Sequence, residues 1–313
     1  MSDILVIGGG VIGLLTAREL AASGADVTLV EMGETGRESS WAGGGIISPL
    51  YPWRYDESVT ALARWSQAVY PELCATLRDE SGIDPEYIAT GMLILDEHEQ
   101  EDALSWAATH GAVVEIIDAD AAHTHEPGLG LRPKSALWMP ELAQVRNPRL
   151  TKALRRSIER EVRVREHEEV VELLVDQGRA AGARTRKETI HADKVVVCTG
   201  AWTAKLLEQL GTKPEIEPVR GQIMLFFANP GQVNHIVLFR ERYVIPRKDG
   251  RILIGSTLEH TGFLKTTTAE AKEELYRIAV EMFPLLRRTP IENHWAGLRP
   301  GSPSGIPYIG SYP

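Results

Sequence analysis

Three glycines and one carboxylate near the amino terminus have the types and spacing for nucleotide chemistry: Gly8, Gly10, Gly13 and Glu31. In a Gly-x-Gly-x-x-Gly turn the first glycine permits the tight turn and the second lets the backbone approach a pyrophosphate. The third lets helix and strand pack closely. The helix that follows offers free N–H groups and a partial positive charge to the phosphates. Glu31 lies 18 residues past Gly13, where a carboxylate can accept both ribose hydroxyls of a dinucleotide. It would repel a 2′-phosphate, which argues against NADP. Such a turn needs a strand before it and a helix and second strand behind it. Ile4–Ile7 is a short apolar run suited to a parallel strand covered on both faces. Leu14, Leu15, Ala17, Leu20 and Ala21 follow a helical pattern that stops at Gly24. Val27–Val30 is a second apolar run that ends at Glu31, completing a β-α-β unit.

The glycine turn alone does not separate FAD from NAD. The segment Gly36-Arg37-Glu38-Ser39-Ser40-Trp41-Ala42-Gly43-Gly44-Gly45 follows almost at once. Arg37, Ser39 and Ser40 can hydrogen-bond phosphate oxygens, and Gly43, Gly44 and Gly45 let the backbone lie against a flat ring system. An NAD-binding unit would proceed to its next helix here, so FAD is the expected cofactor. Other candidates carry less. His123-x-His125 has no cysteine or histidine pair at ligand spacing, and no metal is expected. Cys198 falls in a buried apolar strand and reads as an inert core thiol.

The chain has 313 residues, enough for about two domains. Hydrophobic residues make up 43% and charged ones 25%, an ordinary globular balance that argues against disorder. Acidic residues number 43 against 34 basic, a net charge of −9, which disfavours nucleic acid or an anionic membrane as partner. Two cysteines, Cys74 and Cys198, fit a reducing compartment. The apolar stretch Ile4 to Ala17 is shorter than the roughly 20 residues a bilayer span requires, and Asp3 sits where a signal peptide would carry positive charge. A cytoplasmic protein is expected.

The two domains are expected to interleave. Residues 1–80, 140–215 and 295–313 are assigned to a Rossmann-like dinucleotide-binding domain, and 81–139 and 216–294 to a smaller antiparallel-sheet domain for substrate. The fold class is α/β at the nucleotide unit and α+β overall. Helices are expected over 59–77, 97–110, 149–161 and 269–283, with Asn147-Pro148 as N-cap and first turn of the third. Strands are expected near 92–95, 136–139, 162–165, 170–175, 194–197, 222–227, 235–238, 243–246 and 251–255. Arg247-Lys248-Asp249-Gly250 forms the hairpin turn before the last of these.

Several segments together resemble the D-amino-acid-oxidase-like flavoproteins, and within them the glycine oxidase group of the ThiO type, linked to thiamine biosynthesis. They are the β-α-β start with Glu31, the Arg37-x-Ser39-Ser40 run, Ser48 to Tyr55, and Cys198-Thr199-Gly200-Ala201-Trp202. Tyr243-x-x-Pro246-Arg247 and Trp295-Ala296-Gly297-Leu298-Arg299-Pro300-Gly301 with Pro307-Tyr308-Ile309-Gly310 complete the likeness, which spans nearly the whole chain in order. The resemblance implies FAD, with Val11 and Ile12 at the pyrophosphate, Glu31 and Met32 at the adenosine ribose, and Val170 at the adenine. Gly43, Gly44 and Gly45 would line the flavin, with Thr199 and Gly200 also at the cofactor. Tyr243 and Arg299 match the family's binders of the substrate carboxylate, which suits an arginine fork and a phenol donor.

The implied reaction is oxidative deamination of glycine or a similar small amino acid or secondary amine, with hydride passing from Cα to flavin N5 and O₂ becoming H₂O₂. The alternatives are a D-amino-acid or sarcosine dehydrogenase using another acceptor, and a non-catalytic flavin-binding protein. The family continues past the closing motif into a segment bearing a second substrate-binding arginine and a glycine-rich loop. The natural protein is expected to continue beyond Pro313. A chain ending there would leave a strand edge uncovered, favouring homo-oligomers and weak turnover.

Overall fold

The computed structural model describes residues 2–96 and 98–311. The first part of the chain forms β1 (Ser2–Ile7), α1 (Val11–Ala22), β2 (Val27–Val30), α2 (Ser39–Ala42) and α3 (Glu57–Ser81). β3 (Met92–Ile94), α4 (Gln100–His110), β4 (Glu115–Asp118), α5 (Ala119–His125), β5 (Ser135–Met139) and α6 (Asn147–Ser157) follow. Next come β6 (Val162–Arg165), β7 (Val170–Asp176), β8 (Arg179–Thr185), β9 (Thr189–Val197) and α7 (Thr203–Leu207). The last part holds β10 (Glu217–Phe227), β11 (Ile236–Phe239), β12 (Arg242–Pro246), β13 (Arg251–Gly255), α8 (Ala269–Met282) and β14 (Ile291–Gly301).

Two sheets carry the fold. The first has the order β6-β2-β1-β9-β8-β7, with β6, β2, β1 and the second half of β9 parallel. The short run Ile4–Ile7 is covered on both faces. Ile4 and Val6 pack with Leu14 and Ala17 of α1, Leu77 of α3 and Leu154 of α6, while Leu5 and Ile7 pack with Leu173, Ala183 and Ile190. Burial on both sides explains why this strand is continuously apolar. β9 changes partner along its length. Thr189–His191 pairs antiparallel with β8, and Ala192–Val197 pairs parallel with β1.

The second sheet has the order β14-β10-β13-β12-β11-β3-β5-β4 and is mostly antiparallel. Period-two alternation divides its side chains. Val244, Ile252, Ile254, Met224 and Phe226 face α8, where Leu275, Ile278, Ala279 and Met282 cover them. Tyr243, Ile245, Leu253 and Ile223 face the other way, towards the core that includes Tyr51, Met92 and Leu137. Tyr243 therefore sits on the inner face because Val244 packs under α8.

The first sheet draws on residues 2–30 and 162–197, the second on 92–139 and 217–301, so the sheets interleave along the chain. One boundary differs from expectation. Residues 295–301, assigned to the nucleotide-binding unit, pair with β10 throughout, Trp295 opposite Ile223 and Arg299 opposite Val219. Their alternation reads as strand: Ala296 and Leu298 are buried, whereas Trp295 and Arg299 are half-buried. The last positions of that assignment, Tyr312 and Pro313, and Glu97 of the helix expected over 97–110, lie outside the described residues.

Candidate functional site

Each glycine of the first turn is held at a close approach. Gly8 has φ +104°, and a methyl group there would stand 2.4 Å from the Cys198 carbonyl oxygen. One at Gly13 would stand 1.8 Å from the Gly8 carbonyl oxygen. Gly10 is the N-cap of α1, in extended conformation and with no side chain to cap it, so the first N–H groups of the helix are left to other partners. Glu31 accepts from Gly9 N–H at 2.7 Å and from Gly33 N–H at 2.9 Å. These bonds hold the carboxylate at the cleft rim, and its remaining lone pairs stay open to hydroxyl donors. Val11 N–H donates to Ser40 Oγ at 2.9 Å, tying the helix start to α2.

A cleft of about 2310 Å³ opens at the carboxyl ends of the parallel strands. An ordinary small-ligand pocket holds roughly 300–1,000 Å³, so this cleft has room for a ligand as large as a dinucleotide. Gly8, Gly10, Val11, Ile12, Glu31, Met32, Ser39, Ser40, Gly45, Val170, Thr199 and Gly200 all line it. Ile12 is 63% exposed and Met32 40%, so two large apolar side chains stand open on its wall. The glycine cradle, the helix start at the cleft, the rim carboxylate and this apolar wall together fit a flavin dinucleotide. A second groove of about 1120 Å³ lies at the opposite ends of the strands, beside Ser2, Asp26 and Arg163, away from the turn.

Three expected cofactor residues, Gly13, Gly43 and Gly44, do not line the cleft: Gly13 lies against Gly8, Gly43 against Asn147 and Gly44 against Tyr243. Arg37 also lies off the wall. It pairs with Glu34 at 2.8 Å and lies against the Trp41 ring, half exposed. Asn147 also differs from the expected helix cap. Arg146 occupies the cap position, and the Asn147 amide donates to the Gly43 carbonyl at 3.1 Å.

Tyr243 and Arg299 lie within hydrogen-bonding reach of each other, off the cleft wall. The Tyr243 ring lies between Gly44 and Gly255, where methyl groups would stand 3.1 Å from Cε2 and 2.7 Å from the phenol oxygen. Burial raises the pKa of this phenol, partly offset by Ser256 and Arg299, so it remains a neutral donor. The Arg299 guanidinium lies on Gly221, donates to the Thr257 carbonyl at 3.2 Å and hydrogen-bonds Ser256. Glu259 is committed to Arg220 and Gln222. Among the described residues no carboxylate pairs with Arg299, so its charge is available to an anionic ligand. Ser256, which joins Tyr243 to Arg299, had no signal in the sequence. Gly221 and Gly255 did have one, since glycine inside a strand marks a close approach.

The remaining candidates are held in local contacts. His123 Nδ1 contacts the Ala119 carbonyl at 2.9 Å and His125 stacks on Trp138. Among the described residues no cluster of His, Cys, Asp or Glu could hold a metal ion. Burial pushes the Cys74 thiol up to about 12 and raises that of Cys198, so neither is a ready nucleophile. No helix among the described residues is long and apolar enough to cross a membrane.

The chain is 50% identical over 312 residues to a glycine oxidase of Pseudomonas aeruginosa, covering 99% of this chain and 86% of that one. It is 32% identical to a bifunctional protein ThiO/ThiG of Trichormus variabilis, covering 48% of that longer protein. The crystal structure of glycine oxidase from Geobacillus kaustophilus superposes with a TM-score of 0.94 at 28% identity, covering all of this chain and 86% of that one. Residues 3–313 match the family described as FAD dependent oxidoreductase, DAO. The chain, with a glycine cradle and cleft built for a flavin dinucleotide, belongs to this DAO family of FAD-dependent oxidoreductases.

Proposed function

We propose that the protein is an FAD-dependent oxidase of glycine, converting its Cα–N bond to an imine that hydrolyses, with O₂ as electron acceptor and H₂O₂ as product. The observation that carries this reading is Arg299, a half-buried guanidinium with only neutral partners, joined to the Tyr243 phenol through Ser256. Its relatives at 50% and 49% identity, of whose length it spans 86%, are glycine oxidases. Gly8, Gly10, Val11, Ile12 and Gly13 would hold the pyrophosphate, Glu31 and Met32 the ribose, and Val170 the adenine. Ser39, Ser40, Thr199, Gly200 and Gly43–Gly45 would border the rest. When bound, FAD supplies the two-electron acceptor and the route from it to O₂.

The chain's own residues bind and orient. Arg299 would grip the substrate carboxylate as a two-pronged donor while Tyr243 adds a third hydrogen bond. Ser256 fixes the angle between the two groups. A carboxylate held at three points leaves Cα with a single presentation, a positioning effect that lowers the barrier without an acid–base pair. The thiamine connection rests on the likeness to ThiO/ThiG proteins. The cytoplasm is the proposed setting, supported by two free thiols. Self-association is supported by Leu62 and Trp65, which are exposed one turn apart on α3.

Steady-state turnover with glycine tests the choice of acceptor. One H₂O₂ per glycine consumed is expected in air, with little acceleration by an artificial electron acceptor. A rate that depends on the added acceptor, with little peroxide, would assign a dehydrogenase instead.

A further inference from the structure

Arg247 follows Pro246 at the end of β12, on the same strand face as Tyr243 and Ile245, and is 8% exposed. Its guanidinium donates to the Gly44 carbonyl at 2.7 Å, the Val145 carbonyl at 3.0 Å and Gln144 Oε1 at 2.6 Å. Gly45 and Val145 line the cleft. Arg247 therefore stands one layer behind the cleft wall and ties two of its segments together.

All three acceptors are neutral. The charges that face Arg247 are Arg146, Glu86 and Asp249, with the Tyr243 phenol beside them. Glu86 is held by Arg146 and Arg149, and Asp249 by Arg146 and Arg251. Arg251 in turn holds Glu292. Four guanidiniums thus share three carboxylates, and the one left with neutral partners is the most buried. Burial, reinforced by Arg146, lowers its pKa to about 10, which leaves it charged at neutral pH. A buried cation without a counter-ion is costly, and its field is weakly screened. Anything bound against Gly44–Gly45 lies within that field.

We propose that Arg247 is a positioning residue that acts electrostatically, making the cleft, through the Gly44–Val145 wall, favour a flavin bearing negative charge over a neutral one. This rests on the reading that the Gly43–Gly45 loop receives the flavin ring. Sulfite is a direct probe, because its reversible addition bleaches oxidised flavin and leaves a negative charge on the ring.

The proposal is tested by sulfite titration of the FAD-loaded wild type, Arg247→Gln and Arg247→Lys, followed by visible absorbance, with thermal melts to confirm folding. The expected result is a sulfite Kd at least about tenfold weaker in Arg247→Gln and within about threefold of wild type in Arg247→Lys. Equal affinity in yellow Arg247→Gln overturns the proposal. If Arg247→Gln does not retain FAD, Arg247→Lys decides. It keeps the charge but not the planar fork, so wild-type affinity supports the electrostatic role and a tenfold loss assigns the effect to the lost hydrogen bonds alone. Failure of the underlying flavin reading shows separately, as wild-type protein that takes up no FAD.

Discussion

Gly13→Ala is expected to abolish FAD retention while leaving the second sheet folded. The added methyl would stand 1.8 Å from the Gly8 carbonyl oxygen, and the atom it meets is backbone, which cannot rotate away. Relief requires α1 to move off β1, and that movement opens the turn and tilts the helix start away from the pyrophosphate position. The loss is expected to exceed about 2.7 kcal/mol of binding, a hundredfold weaker Kd. Gly33→Ala is the matched control, because its methyl would find Glu31 Oε1 at an ordinary 3.8 Å. Fluorimetric titration of apoprotein with FAD, beside circular dichroism of both variants, checks the difference. Normal FAD affinity in Gly13→Ala would mean that the cofactor does not use this turn.

Arg299→Ala carries the second large effect. Removing a guanidinium that grips a carboxylate through charged hydrogen bonds costs about 1.5–3 kcal/mol, on the order of tenfold to a hundredfold in binding. The expected phenotype is a KM for glycine raised by at least that factor, with FAD still bound, because Arg299 is off the cleft wall and touches Thr257 and Ser256. Steady-state kinetics with the flavin absorbance recorded on the same sample separates the two roles. Loss of flavin together with activity would make Arg299 a structural residue of β14 instead.

The parts of this site that were legible in the sequence are those where geometry leaves no alternative. Gly8, Gly10 and Gly13 are spaced by the turn itself, and the apolar run Ile4–Ile7 can only be a strand covered twice. The strand over 243–246 was legible too, but the face Tyr243 takes was not, because it follows from Val244 packing under α8. Long-range competition between partners was not legible. Asn147 has the chemistry of a helix cap, yet the Gly43 carbonyl, 104 positions away, claims its amide. Ser256 becomes a site residue only because β13 and β14 both flank β10 and so bring it to Arg299. The membership of residues 295–301 in the second sheet has the same origin, since only pairing with Glu217–Phe227 reveals it.

Bleaching by glycine tests the central claim most directly. Purified protein is expected to be yellow and to release FAD on denaturation. Mixed with glycine in the absence of O₂, it is expected to lose its visible flavin absorbance in proportion to the enzyme present. Readmission of O₂ is expected to restore the colour and yield one H₂O₂ per flavin. A yellow protein whose spectrum glycine leaves unchanged, or a colourless protein that takes up NAD, would contradict the account.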